Sequence, residues 1–452
     1  MRRLSTIIVA SIAGVAAVAA GSGPASAADQ ELVVVNSVTL LDTGFADLVR
    51  TPDGRLFLSG GSGHDTLQIV DPDGVVVGAV PGQAGATGLT LSADGGTAYA
   101  ALAGAGAISA IDTATGAERA RYAVGTDTCP YDVALAGGKL WFSYGCRTSS
   151  GHLGSIALAD PAAPPVLDQG GYLNHPPRLE SGPADGPLLF AMVEGVYPNR
   201  LLSYDVTGAT AVRRTAVEEL VQGVSEFAVT ADGGTVIAAT PGEYQFTTKL
   251  AAYSTADLTE LGRYGAPDST VGLAIAPDGR IATYSSDRGL ATFAPGSYTP
   301  DWVVYRDFAP GLDPAHRGLA IGAADRLYVV SRSSGNTMMN LTTIDAPPST
   351  DPVATALDFT SPTSTGRVGR PVVFAGTLSA AAGPPVGVQT LHVTRTDRRG
   401  SVTLPDVTTA ADGSLRMRDK PRVPGETTWT FTFDGTDRLL PTTYAITLPV
   451  ER

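Results

Sequence analysis

Residues 87–125 read TGLTLSADGGTAYAALAGAGAISAIDTATGAERARYAVG, and one structural phrase runs through them. An apolar strand leads into an Asp-Gly-Gly turn, Asp94-Gly95-Gly96. A second apolar strand follows, then a gap, then a third strand ending in the Asp-Thr turn at Asp112-Thr113. Outward from this stretch the phrase recurs, seven times in all after residue 40. Copies read DLVRTPDGRLFLSGG from Asp47, YDVALAGGKLWFSYG from Tyr131 and EFAVTADGGTVIAAT from Glu226. Two more read VGLAIAPDGRIATYS from Val271 and RGLAIGAADRLYVVS from Arg317, and RLESGPADGPLLFAM from Arg178 is a looser one. A repeat of roughly 40–45 residues holding four short strands is the pattern of a propeller blade.

The blades are expected near 45–83, 86–127, 130–170, 172–217, 220–264, 268–307 and 312–345. The last copy is one strand short, while Glu31 to Leu41 (ELVVVNSVTLL) is strand-like with no blade of its own. The economical assignment makes that segment the outer strand of the seventh blade, so that the start of the chain clasps its end and covers an open edge. Beyond Asp345 the Pro-rich run 346–352 (APPSTDP) reads as an extended linker. About 100 residues remain, in which VVFAGTLSA, GVQTLHVTRTD, SLRMRD and TTWTFTFDG alternate between turns. That rhythm predicts a small β-sandwich cored by Trp429, Phe431 and Phe374. The fold class is therefore all-β, a seven-bladed propeller over 28–345 and a sandwich over 353–452.

The start of the chain, Met1-Arg2-Arg3, an apolar run from Ile7 to Ala20 and Ala25-Ser26-Ala27, reads as a secretory signal peptide over 1–27. The expected localisation is secreted or extracellular, with association to a cell wall as a variant. Gly 53, Pro 32 and a charged fraction of 17% suit many tight turns and disfavour long helices. Residues 28–352 carry 35 Asp/Glu against 18 Lys/Arg, net −17; residues 353–452 carry 9 against 11, net +2. An acidic propeller argues against nucleic acid and anionic membranes as partners, and no membrane insertion is expected. The two cysteines, Cys129 and Cys146, bracket a hairpin turning at Ala136-Gly137-Gly138. Antiparallel pairing brings its ends within the roughly 4.4–6.8 Å Cα separation of a disulfide, and export supplies the oxidising compartment.

The run AYAALAGAGAISAIDTATGAERARYAVGTDTCPYDVAL resembles the YVTN/YncE-type family of seven-bladed propellers. Ile111-Asp112-Thr113-Ala114-Thr115-Gly116 and Val124-Gly125 carry the likeness well, and Ile69-Val70-Asp71-Pro72-Asp73-Gly74 carries it in part. The tail resembles bacterial Ig-like domains through Phe431-Thr432-Phe433-Asp434-Gly435-Thr436-Asp437. The resemblance implies an exported or surface binding scaffold and brings no shared catalytic residues with it.

Catalytic signatures are absent: no H-E-x-x-H, Walker loop or G-x-S-x-G occurs, and the five histidines are never at metal-binding spacing. Aligning the blades does produce one constellation. The residues at the start of each innermost strand read Asp47, Gly88, Asp132, Arg178, Glu226, Gly272 and Gly318, with Thr87, Tyr131, Ser225 and Arg317 beside them and His175 and His316 just upstream. Asp47, Asp132 and Glu226 around one channel mouth could ligate Ca²⁺ through oxygen, and a lactonase-type propeller could use such an ion as a Lewis acid. The competing reading is that these acids tie strand ends to backbone N–H groups of the next blade. No cofactor is otherwise expected. A second candidate surface is aromatic: Tyr197, Tyr244 and Phe246 in the longer inserts of blades four and five, with Tyr284, Tyr298, Trp302 and Tyr305. Such rings serve either a bound sugar or peptide or packing between blades. The expected function is a non-catalytic exported module binding an extracellular protein, peptide or glycan. The alternative is a metal-dependent hydrolase or lactonase at the channel mouth.

Overall fold

A computed structural model of the chain describes residues 33–40, 44–146, 150–160, 163–182, 186–194, 198–220, 226–230, 232–241, 248–323, 325–333, 338–346, 355–360, 365–380, 386, 388–410, 413–436 and 439–452. The expected signal peptide and nearly all of the linker lie outside these residues. The chain is all-β, and its N-terminal part forms seven four-stranded antiparallel sheets. Six follow the chain directly. Their innermost strands are Asp47–Arg50, Ala86–Leu91, Pro130–Ala136, Arg178–Ser181, Phe227–Val229 and Thr270–Ile275, each succeeded outward by the next three strands in sequence. In the seventh, Asp313–Ile321 is innermost, followed by Arg326–Arg332 and Met339–Asp345. The outermost strand is Val33–Thr39, paired antiparallel with Met339–Asp345 from Val33↔Asp345 to Thr39↔Asn340. The seven innermost strands stand side by side in a ring that closes where Asp313–Ile321 meets Asp47–Arg50.

The core is divided among the blades. Seven apolar clusters each join one blade to the next, and the cluster of Leu48, Leu56, Leu58, Tyr328, Val330 and Leu341 joins the seventh to the first. Strand Thr97–Leu102 shows how the sequence builds this. Ala98, Ala100 and Leu102 pack toward blade one, while Tyr99 and Ala101 pack toward blade three. Both faces are covered, so middle strands are continuously apolar rather than alternating. The outermost strand of the same blade, Glu118–Ala123, is exposed or half-buried throughout and carries the charges.

Turns recur with the same chemistry. The hydroxyls of Thr51, Ser92 and Thr230 each donate to the Asp two residues on, Asp53, Asp94 and Asp232. A glycine with positive φ follows in each turn: Gly54 at 94°, Gly95 at 67° and Gly233 at 71°. These side-chain bonds pin the hairpins joining first and second strands, where only glycine reaches that φ without strain.

The side chains of Asn36, Arg326 and Tyr328 lock the ring closure. Asn36 of the clasping strand donates to the carbonyl of Asp73, and Arg326 pairs with Asp73 at 3.0 Å and Asp345 at 2.8 Å. Tyr328 donates its hydroxyl to the carbonyl of Pro72 at 2.7 Å. Cys129 and Cys146 form a disulfide with Cα atoms 5.0 Å apart, at the open end of the hairpin pairing Pro130–Ala136 with Lys139–Tyr144.

Residues 355–452 form two facing sheets. One holds Thr355–Thr360, Val372–Ala380 and Ser414–Asp419. The other runs Gly366–Arg367, Thr442–Glu451, Gly425–Phe433, Thr390–Asp397 and Gly400–Thr403, with Val407–Thr408 against Thr390–Asp397. Phe374, Trp429 and Phe431 meet at the centre, with ring centroids 5.1 and 5.5 Å from Phe374. The Trp429 indole N–H and the buried Arg395 both donate to Asp419, each at 2.8 Å. No helix among the described residues is long and apolar enough to cross a membrane.

Candidate functional site

A channel of about 600 Å³ runs along the innermost strands, and one end of it is charged. Asp47 and Arg178 open their strands, Asp132 is the third residue of its strand, and Glu226 immediately precedes Phe227–Val229. Asp132 is fully buried, and Asp47, Arg178 and Glu226 are nearly so. The structure therefore brings together five of the residues that the blade alignment singled out: Asp47, Asp132, Arg178, Glu226 and Arg317.

Asp47 and Asp132 do the same thing two blades apart. Asp47 accepts the N–H of Leu48 at 2.9 Å through Oδ1 and that of Leu89, in the next blade, at 2.8 Å through Oδ2. Asp132 accepts from Val133 at 3.0 Å and from Leu179, in the blade after it, at 3.0 Å. A buried carboxylate is stabilised by such paired donors, and here each pair spans a blade boundary. Gly88 makes room for this: a Cβ there would lie 1.8 Å from Asp132 Oδ1. That accounts for a glycine at the second ring position.

Arg317 joins these acids across the ring. Its strand is irregular between Pro314 and Leu319, and Arg317 itself has φ 59°. A non-glycine residue in that region costs roughly 1–3 kcal/mol and persists only where its surroundings hold it. The distortion places Nη2 2.9 Å from Asp47 Oδ2 and Nη1 3.1 Å from Asp132 Oδ2. The backbone N–H of Arg317 donates to Glu226 Oε1 at 3.1 Å. Glu226 also faces Arg178 Nη1 at 3.4 Å and His316 Nδ1 at 3.7 Å, and Arg178 reaches Glu194 at 3.5 Å.

The electrostatics follow from burial and these pairs. Burial is the largest influence on Asp47 and pushes its carboxyl up to about 7, against the pull of Arg317 and with a further push from Asp132. Glu180, which also lines the channel, is pushed up to about 8 by burial, again against Arg317. For Glu226 burial pushes upward, yet Arg178, His316 and Arg317 together hold it below the usual carboxylate range. Burial works against the charge of Arg178 and Arg317, and the surrounding carboxylates outweigh it in both.

Among the other candidates, Tyr131 is partly exposed beside this cluster. Tyr197, Tyr244, Phe246 and Ser225 lie outside the described residues. Tyr284 and Trp302 are buried between blades six and seven, and Tyr298 packs edge-on to Tyr264 at 4.9 Å, so these three rings serve packing. Among the described rings of that group, Tyr305 alone is largely exposed. Among the described residues no group of three or more His, Cys, Asp or Glu side chains is arranged to hold a metal ion. The guanidinium of Arg317 stands between Asp47 and Asp132, where a shared cation would have to be. Glu180 and Glu194 escaped the sequence alignment. Glu180 sits two residues after Arg178 on the same strand, and that spacing was the signal available.

No family model matches the chain, and no curated protein matches it. Solved structures do. The chain is similar to Kuenenia stuttgartiensis hydrazine synthase at 17% identity and TM-score 0.50, covering 68% of this chain and 97% of that one. It is similar to a chain of the mitotic checkpoint complex at 13% identity and TM-score 0.51, covering 77% and 99%. The WD40 β-propeller domain of Doa1 aligns at 11% identity and TM-score 0.49, covering 71% and 99%. At these identities the first two likenesses are of fold, and with its ring of four-stranded sheets the chain is a β-propeller protein in architecture.

Proposed function

We propose that this chain is an exported, non-catalytic binding scaffold whose propeller recognises an extracellular protein, peptide or glycan. The observation that carries the reading is the position of Arg317 between Asp47 and Asp132. The acids of the channel mouth are engaged in holding blades together, so recognition falls to the surface and loops, as is usual for propellers. The same position of Arg317 weighs against the alternative of a metal-dependent lactonase using those acids. The disulfide supports export, since such bonds persist in oxidising compartments. Within this proposal residues 1–27 are the leader, 28–345 a YVTN/YncE-type propeller, 346–352 a linker and 353–452 an Ig-like spacer or wall-associated adaptor.

The test combines two assays on purified 28–452. One is binding to printed peptide and glycan arrays; the other is turnover of an ester and lactone panel with and without Ca²⁺. Saturable binding without turnover is expected. Calcium-dependent turnover would overturn the proposal.

A further inference from the structure

The outermost strand of blade three, Val166–Leu173, leaves regular pairing twice, between Gly151 and Leu153 and between Leu153 and Ser155 of its partner. Asp168 has φ 55°, and Gly170 and Gly171 have φ 72° and 84°. Irregularities of this kind re-aim side chains at a sheet edge. Here they bring Asp168 and Tyr172 to His152 on the neighbouring strand.

The cluster has a fixed floor and an exposed top. The Tyr144 hydroxyl donates to Asp168 Oδ1 at 2.8 Å and accepts the Asp168 N–H at 2.9 Å. His152 stacks on the Tyr144 ring, centroids 5.2 Å apart and planes 20° off parallel, with Nδ1 3.0 Å from Asp168 Oδ1. Tyr172 stands edge-on to His152 at 6.2 Å. Tyr144 is 7% exposed, whereas Tyr172 is 64% exposed and the Asp168 side chain 75%. The Tyr144 hydroxyl and His152 Nδ1 both meet Asp168 at Oδ1. A carboxylate held in place yet largely exposed, beside a large exposed ring, contributes little to the core.

We propose that Tyr172, Asp168 and His152 form a subsite for a neutral pyranose sugar of a glycan on the rim of blade three. This deepens the binding-scaffold reading above and rests on it. The apolar face of a pyranose ring carries C–H groups that pack on an exposed aromatic face, the same amphipathic use that tyrosine finds at interfaces. Vicinal hydroxyls need a pre-placed acceptor, and charge-assisted bonds to a carboxylate are the strong kind. The imidazole adds a second polar group within the same reach. A residue pair already fixed by Tyr144 loses little freedom on binding. An anionic ligand would face both Asp168 and the net charge of −17 on residues 28–352, so the sugar is neutral.

Titration calorimetry of the full mature chain with cellohexaose and chitohexaose, alongside an array of neutral glycans, tests this. Wild type is expected to bind at least one neutral oligosaccharide. Tyr172→Ala and Asp168→Asn should each weaken that binding about tenfold or more, a loss of one well-placed contact. Tyr172→Phe should keep most of it, and the melting temperature of each variant should stay at the wild-type value. Failure of wild type to bind any neutral glycan, or glycan binding untouched by Tyr172→Ala, overturns the subsite. If wild type binds a peptide instead, the subsite fails and the scaffold reading stands; turnover of an ester or lactone strikes the scaffold reading itself.

Discussion

Arg317 and Asp132 are 185 residues apart in the chain and 3.1 Å apart in space, guanidinium to carboxylate. That pair links blade seven to blade three across the channel. Through Asp47 at 2.9 Å and its backbone N–H to Glu226, the same residue also reaches blades one and five. The strained φ of Arg317 and the fully buried Asp132 belong to one arrangement, in which the guanidinium of Arg317 pairs with acids of blades one and three while its backbone N–H holds that of blade five.

Removing that cation should be costly. Arg317→Met leaves Asp47 and Asp132 buried without their partner, and breaking a buried pair from one side typically costs about 3–5 kcal/mol. The expected outcome is a lower urea midpoint for the propeller transition. A loss under about 0.5 kcal/mol, the range of ordinary surface substitutions, would show that Arg317 does not hold the ring.

The clasp gives a contrast between the two ends. Deleting 31–41 removes Val33–Thr39 and uncovers Met339–Asp345, together with the Asn36 bond to Asp73. Deleting everything from 351 onward removes a sandwich with its own core of Phe374, Trp429 and Phe431. The first deletion should lower the propeller melting temperature far more than the second. Equal losses would contradict the strand's role in closure.

The disulfide closes a loop of 17 residues' separation. In the chain-entropy account a loop of that size contributes roughly 3 kcal/mol. Replacing both Cys129 and Cys146 by Ser should reduce unfolding free energy by about that amount, read from the urea midpoint at constant slope.

The raised carboxyls set a pH dependence. Asp47, ordinarily 3.8 and here about 7, and Glu180, ordinarily 4.5 and here about 8, bind a proton in the folded chain that the unfolded chain releases. Their contribution is fully present below their ordinary values and is lost as pH rises through about 7 and 8. Glu226 has the opposite sign and loses its contribution only as pH falls through its lowered value. The propeller should therefore melt at lower temperature at pH 8.5 than at pH 5.5, and Glu180→Gln should flatten that slope. His392 of the sandwich shifts with the same sign as Glu180, so the propeller transition is the one to follow. An unchanged slope in Glu180→Gln would remove Glu180 from the account.

The repeat made the blades legible because each hairpin turn announces itself chemically, as in Thr51-Pro52-Asp53-Gly54 and Ser92-Ala93-Asp94-Gly95. It also placed Asp47, Asp132, Arg178 and Glu226 at equivalent positions. What it could not give was the direction of Arg317, which depends on a bulge and a left-handed φ rather than on strand periodicity. Asp168 and Tyr172 were hidden for the same reason, although Gly170-Gly171 inside a strand is a bulge signal. In the sandwich the longest strand, Thr442–Glu451, went unread: Pro449 sits inside it, opposite Glu426, and proline normally demotes a run.

The acids at the channel mouth tie blades together through bonds from Leu89, Leu179 and Arg317, and one melting experiment tests this directly. Asp132→Asn is compared with wild type, each with and without millimolar Ca²⁺. Asp132 accepts from Val133, Leu179 and Arg317, so losing its charge should lower stability by roughly 1–3 kcal/mol. Calcium should change neither protein's melting temperature. The contrary result is a wild-type melting temperature that rises with Ca²⁺, a rise that vanishes in Asp132→Asn, and an apo variant as stable as wild type.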